Sequence, residues 1–552
     1  MFKKLVKDKS VKVILLEIFL IILGVVGLTL GVKYIMNNIG INVGTSKLAI
    51  DNMNATVSSG NLSPVADSSV NVNTTSGVLR ITFDVKGAST NTGDNIIYDA
   101  ILNIDADCAL KNENIKWNLY KNSTLLTSGT TSPKYDKDVL AGKITLTDTQ
   151  QDLVPYSGTA DKYVFILWMS DNCTESDITK CDINSGLNSN MSNKTVTGNI
   201  DIRLNSGKKK VNNRVSVDVD DCPASAYIMG LDEGTTGDSD SGVYKVTHSA
   251  IPASSSATGS EIPAVADYRY YGPNPNNYIC LDMEGQSTCP DKHLYRIIGS
   301  IYEEKENTNR IKLIKATPLA DETTSEFSWD YTSSGSYNNI WATITSGNYS
   351  NSLISGSQLM KLLNSGLWWN GESGSYYNHS TTATNVNFTN YKLTDKAKSY
   401  ITTSRYYLGG YNKSNGVMTN QFYAYERGTT RYDTNRPLYW DGMVGLMYPS
   451  DFGYAAGNTC VTGTDPYNYD GGCKNKDWLW MTTSSDYTNG YEWLMSPDSG
   501  HSYGAFPVTS SGYVHYGYNV NDARSARPVF YLSSSASISE GEGTSVAPYI
   551  LS

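Results

Sequence analysis

The chain is poor in histidine, and its five, His248, His293, His379, His501 and His515, form no HExxH or HxxxH set. Its eight cysteines contain no CxxC pair. No zinc-ligand spacing remains, so no metal centre is expected. Nucleophile-elbow, phosphate-loop and dinucleotide-binding signatures are absent too, and no cofactor is expected. Long helical periods are scarce. So is positive charge: residues 1–36 carry +4 of the net −10, which leaves −14 on the remainder. An acidic body of this kind argues against nucleic acid as a partner.

What is present begins with one long apolar run, VILLEIFLIILGVVGLTLGV at residues 13–32, in which Glu17 is the single ionisable group. It has the length a helix needs to cross a bilayer. Five lysines precede the run and Lys33 follows it. By the positive-inside rule Met1 stays in the cytoplasm and the bulk of the chain faces outward. A retained anchor is therefore expected in place of a cleaved signal peptide, whose apolar core is shorter. Glu17 resembles the acidic residue of type IV pilins, but Lys12 stands where their cleavage glycine would be.

An even number of cysteines suits export to an oxidising medium. Cys173 and Cys181, Cys280 and Cys289, and Cys460 and Cys473 each bracket a short loop, as a staple would. Each such closure contributes about 2–3 kcal/mol in the chain-entropy account. Cys108 and Cys222 are left to pair with each other or stay free.

The fold class expected is mainly β with some α. Residues 1–36 form a basic tail and transmembrane anchor, 37–206 a β-sandwich stalk, 207–222 a linker and 223–552 an α+β head. Strands are predicted at VLRITFDV (78–85), NIKWNLY (114–120) and KYVFILWM (162–169), where apolar and polar residues alternate. The linker is polar, with Lys208, Lys209 and Lys210 in a row. In the head, HLYRIIGSIYEE (293–304) and RIKLIKATP (310–318) read as a hairpin across ENTN, and ARPVFYL as a strand led by Pro528. Helices are predicted in GSQLMKLLNSGLWWN (356–370), capped by Ser357, and in YKLTDKAKSYITTSRYYLGGY (391–411). Arg524 and Arg527 are expected to brace acidic residues or carbonyls.

Two resemblances follow. Residues 37–206, with the strand VPYSGTADKYVFILWMSDN, are similar in layout to the camelysin/TasA-like sandwiches of Gram-positive bacteria, which form surface fibres or matrix. The head resembles an uncharacterised domain of gut Firmicutes surface proteins, itself similar to the C-type-lectin-like fold of formylglycine-generating enzymes and retroelement-diversified receptors. That likeness is carried by ADYRYYGPNPNNYICLD, HLYRIIGSIYEE, DGMVGLMYPSDFGYA, YEWLMSPDSG and DARSARPVFYLSSSASISEGEGTSVAPYIL. It implies a ligand face just before the final strands, at Tyr503, Tyr513, His515, Tyr516, Tyr518, Asn519 and Asn521, with Trp493 beside them and Trp368 and Trp369 as a fallback.

Composition points the same way, since 34 of 40 tyrosines and eight of ten tryptophans follow Cys222 among many Ser, Asn and Gly. Such mixtures make recognition surfaces, though Tyr and Trp also fill β cores. The expectation is a non-enzymatic surface protein that binds an extracellular glycan or glycoprotein. A fibre-forming protein that associates through its sandwich is the first alternative. A cell-wall enzyme using Asp441, Asp451, Glu492 or Asp498 is the second. Cys460 and Cys473 read as a staple and not as the reactive pair of a formylglycine-generating enzyme. The acidic run at 232–242, with Asp238 and Asp240, lacks calcium-loop spacing and reads as a solvated turn.

Overall fold

The computed structural model divides into two compact units, one within Met1–Asp220 and one carried by Asp221–Ser552. In the first unit it describes residues 35–36, 39–43, 46–50, 53–58, 60–61, 64–85, 98–105, 114–131, 143–147, 160–170, 195–204 and 215–219. In the second it describes 223–552 except 233, 235, 239, 322–323, 344–355, 365 and 482–489. The expected anchor at 13–32 and Cys108, Cys173, Cys181 and Cys222 lie outside the described residues. Among the described residues no helix is long and apolar enough to cross a membrane.

The first unit is built of two main sheets. One runs in the order Ile35–Met36, Met53–Ser58, Val78–Val85, Asp161–Ser170, Ile115–Lys121, Thr124–Thr130, and the short Pro64–Val65 strand lies parallel to the end of Asp161–Ser170. In Val78–Val85 the alternation predicted from sequence is realised, with Leu79, Ile81, Phe83 and Val85 buried and Arg80, Thr82 and Asp84 turned outward. The second sheet runs Lys143–Thr147, Val215–Val219, Tyr98–Asp105, Thr195–Leu204, Gly60–Asn61. Val215–Val219 corrects the linker reading: it pairs parallel with Tyr98–Asp105 and antiparallel with Lys143–Thr147. Its alternating valines make a short strand that the surrounding polar run conceals.

The second unit is organised around a ten-stranded sheet. Its spine is Ile401–Thr402, Val529–Leu532, Thr308–Lys315, Leu294–Glu303, Tyr278–Cys280, Tyr549–Leu551, Ile538–Glu540. Leu294–Glu303 and Thr308–Lys315 form the expected hairpin. Val265–Tyr271 adds to Leu294–Glu303 and carries Gly242–His248 outside it. Helix Gln358–Asn364 forms as predicted, and Ser357 Oγ accepts from the Met360 amide at 3.2 Å. The second predicted helix contracts to Asp395–Ser399, capped by Thr394, because Ile401–Thr402 is drawn into the sheet against Val529–Leu532. Both stapled loops within the described residues close, Cys280 with Cys289 and Cys460 with Cys473.

The core absorbs much of the aromatic content. Trp329, Trp341, Trp368, Trp440 and Trp493 are fully buried, and Trp329 meets Trp341 edge-to-face at 5.1 Å. Through this apolar mass runs a line of buried charges. Arg269 donates to Asp267 at 2.7 Å and to Asp451 at 2.9 Å, and Lys312 donates to the other Asp451 oxygen. His248 contacts Asp267 at 2.8 Å. The Tyr448 amide also donates to Asp451, at 3.0 Å, which closes the start of helix Pro449–Ala455. Burial alone would raise the Asp451 carboxyl, but Lys312 and Arg269 outweigh it and hold the group below the usual carboxylate range. The row ties strand Val265–Tyr271, strand Thr308–Lys315 and helix Pro449–Ala455 together. Removing one member strands the others as unpaired buried charges.

Asp451→Ala is expected to destabilise the second unit by about 3–5 kcal/mol, read as a lower urea midpoint of tryptophan fluorescence. A midpoint within error of the parent protein contradicts a structural role for the row.

Candidate functional site

The expected ligand face is built on a three-stranded sheet, Glu492–Pro497, Gly504–Val508 and Tyr518–Asn519. After Val508 the chain turns through SSG, where the Gly512 amide donates to the Thr509 carbonyl at 2.9 Å. Gly512 has φ +78°, and a Cβ there would fall 2.6 Å from the Trp480 ring. Val514 and Val520 are fully buried and pin the returning segment. The rings around these pins are half-buried, and Tyr516 and Tyr518 pack one side against the core. Tyr513, His515, Tyr516 and Tyr518 are all partly exposed.

These four come together as one strip of rings. His515 lies parallel to Tyr516, 5.5 Å between centroids, and meets Tyr518 edge-on at 5.1 Å. Tyr467 closes one end, 5.7 Å from Tyr513 and 5.3 Å from His515, and Tyr491 closes the other, 5.5 Å from Tyr518. Arg524 sits 4.6 Å from both the Tyr491 and Tyr518 rings while donating to Asp522 at 2.9 Å, so it supports the strip. The expected brace is thus present, as is the one from Arg527 to both Glu492 oxygens at 2.7 and 2.9 Å. Burial and a hydrogen bond with Tyr491 push the Tyr518 hydroxyl up to about 12. It remains a neutral donor and acceptor. His515 Nδ1 donates to the Tyr516 carbonyl at 2.8 Å, which in the neutral ring leaves Nε2 as an acceptor.

Other expected residues lie elsewhere. Tyr503 is exposed and packs its ring 5.4 Å from His501. Asn519 is exposed and pairs through its backbone with Gly504. Asn521 belongs to a different neighbourhood: its carbonyl accepts from Ser328 Oγ at 2.7 Å and faces His379 Nδ1 at 3.0 Å. The Asn521 Oδ1 atom is buried with no hydrogen-bond partner among the described residues. Trp493 corrects the expectation. It is fully buried, its indole donates to the Phe327 carbonyl at 2.9 Å, and it packs edge-to-face on Trp329. The fallback Trp368 is likewise buried.

Tyr467 and Tyr491 were not anticipated. Tyr467 sits in the loop stapled by Cys460 and Cys473, and that loop is joined to the strip where the Val514 amide donates to the Pro466 carbonyl at 3.0 Å. A tyrosine inside a covalently closed loop was the available signal. The acidic run also has a local explanation, since Asp238 accepts from the amide and hydroxyl of Thr459. Among the described residues no group of three or more His, Cys, Asp or Glu side chains is arranged to hold a metal ion. No protein-family model, curated protein or solved structure matches the chain.

Near Asn521, Tyr331 stacks with Tyr337 at 5.9 Å and with His379 at 6.4 Å, and Asp330 lies buried just before them. Burial pushes the Asp330 carboxyl from 3.8 up to about 6, against the Asn338 and Gln358 amides that donate to it. The folded state therefore favours the protonated acid. This stabilisation is complete below the unfolded value of 3.8 and is lost as pH rises through about 6. Asp330→Asn is expected to flatten the fall in urea midpoint across that interval. An unchanged profile contradicts the assignment.

Proposed function

We propose that this is an outward-facing surface protein, anchored through residues 13–32, whose second unit binds an extracellular glycan or glycoprotein in a lectin-like manner. In this reading the first unit is a sandwich stalk and the second has a C-type-lectin-like fold. The observation that carries the binding role is the ring strip of Tyr467, Tyr513, His515, Tyr516, Tyr518 and Tyr491. Six partly exposed rings, contributed by three chain segments and held in mutual contact, offer apolar faces for a sugar ring or an apolar side chain. Hydroxyls and an imidazole nitrogen at their edges serve its polar groups.

The enzyme alternative finds less support. The four acids that would serve it are engaged in structure. Asp441 receives two bonds from Arg405 at 2.9 and 3.1 Å, Asp451 lies in the buried charge row, and Glu492 is held by Arg527. Asp498 is fully buried and bonded to His501 at 2.8 Å and to the Gly500 amide at 2.7 Å. A general acid or nucleophile must reach its substrate. The fibre-forming reading draws on one feature: among the described residues Thr124–Thr130 ends its sheet, paired on one side with Ile115–Lys121, and Leu125 on it is 52% exposed.

On a glycan and mucin array, the chain is expected to bind a defined subset of structures, and Tyr467→Ala/Tyr513→Ala to lose at least about tenfold in affinity. Equal binding by the variant removes the strip from the account. Absence of binding together with concentration-dependent assembly that Leu125→Lys abolishes favours the fibre-forming reading instead.

A further inference from the structure

Next to the loop that carries His501 and Tyr503 lies a small, shallow pocket, with room for one anionic group and not for a whole sugar, whose lining includes Trp341, Leu408, Arg431, Tyr432, Arg436 and Asp498. It shares no ring with the strip, and its chemistry differs. The strip is a row of rings backed by Arg524, whereas the pocket lining itself includes two guanidinium groups, Arg431 and Arg436.

Most polar groups of the pocket are already committed. Both oxygens of Asp498 are occupied, by the Gly500 amide and His501. Arg436 donates to Asn339 and, at 3.3 Å, to Asp433, and lies 5.2 Å from the Tyr432 ring. Asn339 in turn donates to the Asp498 and His501 carbonyls, each at 2.9 Å, which locks the wall in place. Arg431 is different. It donates from one η nitrogen to the Arg436 carbonyl at 2.6 Å, and no carboxylate pairs with it among the described residues. That bond holds one side of the guanidinium, and among the described residues the rest of its donor fork has no hydrogen-bond acceptor. Beside it Tyr432 is 46% exposed, one of four large apolar side chains with that standing among the described residues. A chain of net charge −10 repels anions in general, so a guanidinium with no carboxylate partner among the described residues, beside an exposed ring, marks a local exception.

We infer that this pocket takes the anionic group of an acidic glycan, a carboxylate or a sulfate bound by Arg431 with the sugar ring against Tyr432. The inference rests on the glycan-binding reading and specifies it: the head prefers acidic sugars, and it holds them at a site distinct from the ring strip. Arg suits this task because its planar fork meets a two-oxygen anion with parallel hydrogen bonds, and the exposed phenol supplies a flat apolar face.

The test is isothermal titration of the purified full chain with sialyllactose, a sulfated lactose and plain lactose, repeated with Arg431→Gln and Tyr432→Ala. At least one acidic probe is expected to bind better than lactose, with affinity that falls as salt rises. Arg431→Gln should weaken it by at least about tenfold, the effect of losing one charge-assisted contact. The preferred probe tells carboxylate from sulfate. Arg431 is partly exposed and among the described residues its one hydrogen bond goes to a backbone carbonyl, so an unchanged thermal midpoint for Arg431→Gln shows that the loss is local. Equal binding of lactose and both acidic probes, or full affinity in Arg431→Gln, overturns the inference. If neutral glycans bind through the strip while no acidic probe prefers this pocket, the inference fails and the glycan-binding reading stands. If no glycan of either kind binds, both fail.

Discussion

The carboxylate of Asp451 is the point on which the second unit turns. It receives Arg269, Lys312 and the Tyr448 amide, and so joins two strands of the main sheet to the start of helix Pro449–Ala455. A buried pair of this kind adds little stability relative to an apolar substitute, but it tolerates only one arrangement, since any slip leaves a charge without a partner. From that helix the order passes outward. Tyr469 donates to the Gly453 carbonyl at 2.9 Å and stacks on Phe452, which seats the stapled loop bearing Tyr467. The Met495 amide donates to the Met447 carbonyl at 2.8 Å, which seats the strand beneath the ring strip. The half-exposed rings are thus held by a buried polar core.

The abundance of tyrosine over phenylalanine, 40 against 10, has a structural cause besides recognition. A unit with many irregular segments buries backbone carbonyls that no ladder satisfies, and each buried group of this kind needs a donor. Buried tyrosines supply them: Tyr244 to Tyr454, Tyr376 to Ser328, Tyr406 to one of the Met443 and Val529 carbonyls, each 3.0 Å away, and Tyr448 to Tyr407. Phenylalanine would fill the same volume and leave those carbonyls unpaired. Composition therefore overstates the recognition surface, because one residue type serves both the core and the exposed strip.

The sequence disclosed local structure where one force dominated. Alternation placed Val78–Val85 and the hairpin of Leu294–Glu303 with Thr308–Lys315, and spacing placed the Cys280–Cys289 and Cys460–Cys473 staples. It misled where tertiary pairing overrode propensity. Ile401 continued a helical stripe yet belongs to the sheet, and Val215–Val219 looked like linker because its partner strand is distant in the chain. The candidate site was half legible. Tyr513, His515, Tyr516 and Tyr518 lie within one short segment, whereas Tyr467 and Tyr491 reach the strip from other parts of the chain, a relation no local pattern encodes. Trp493 was misplaced because the resemblance gave its place in the chain but not its cover: residues 492–496 are all buried, and Trp329 packs on the indole.

The central claim is that recognition occurs on the ring strip, and hydrogen–deuterium exchange of the intact chain with and without a glycan-bearing mucin tests it most directly. The account predicts slower exchange in the peptides covering residues 464–470 and 511–519, and little change across the buried sheet strands Leu294–Glu303 and Thr308–Lys315. Protection confined to Thr124–Thr130, or none anywhere while the mucin is bound, contradicts it.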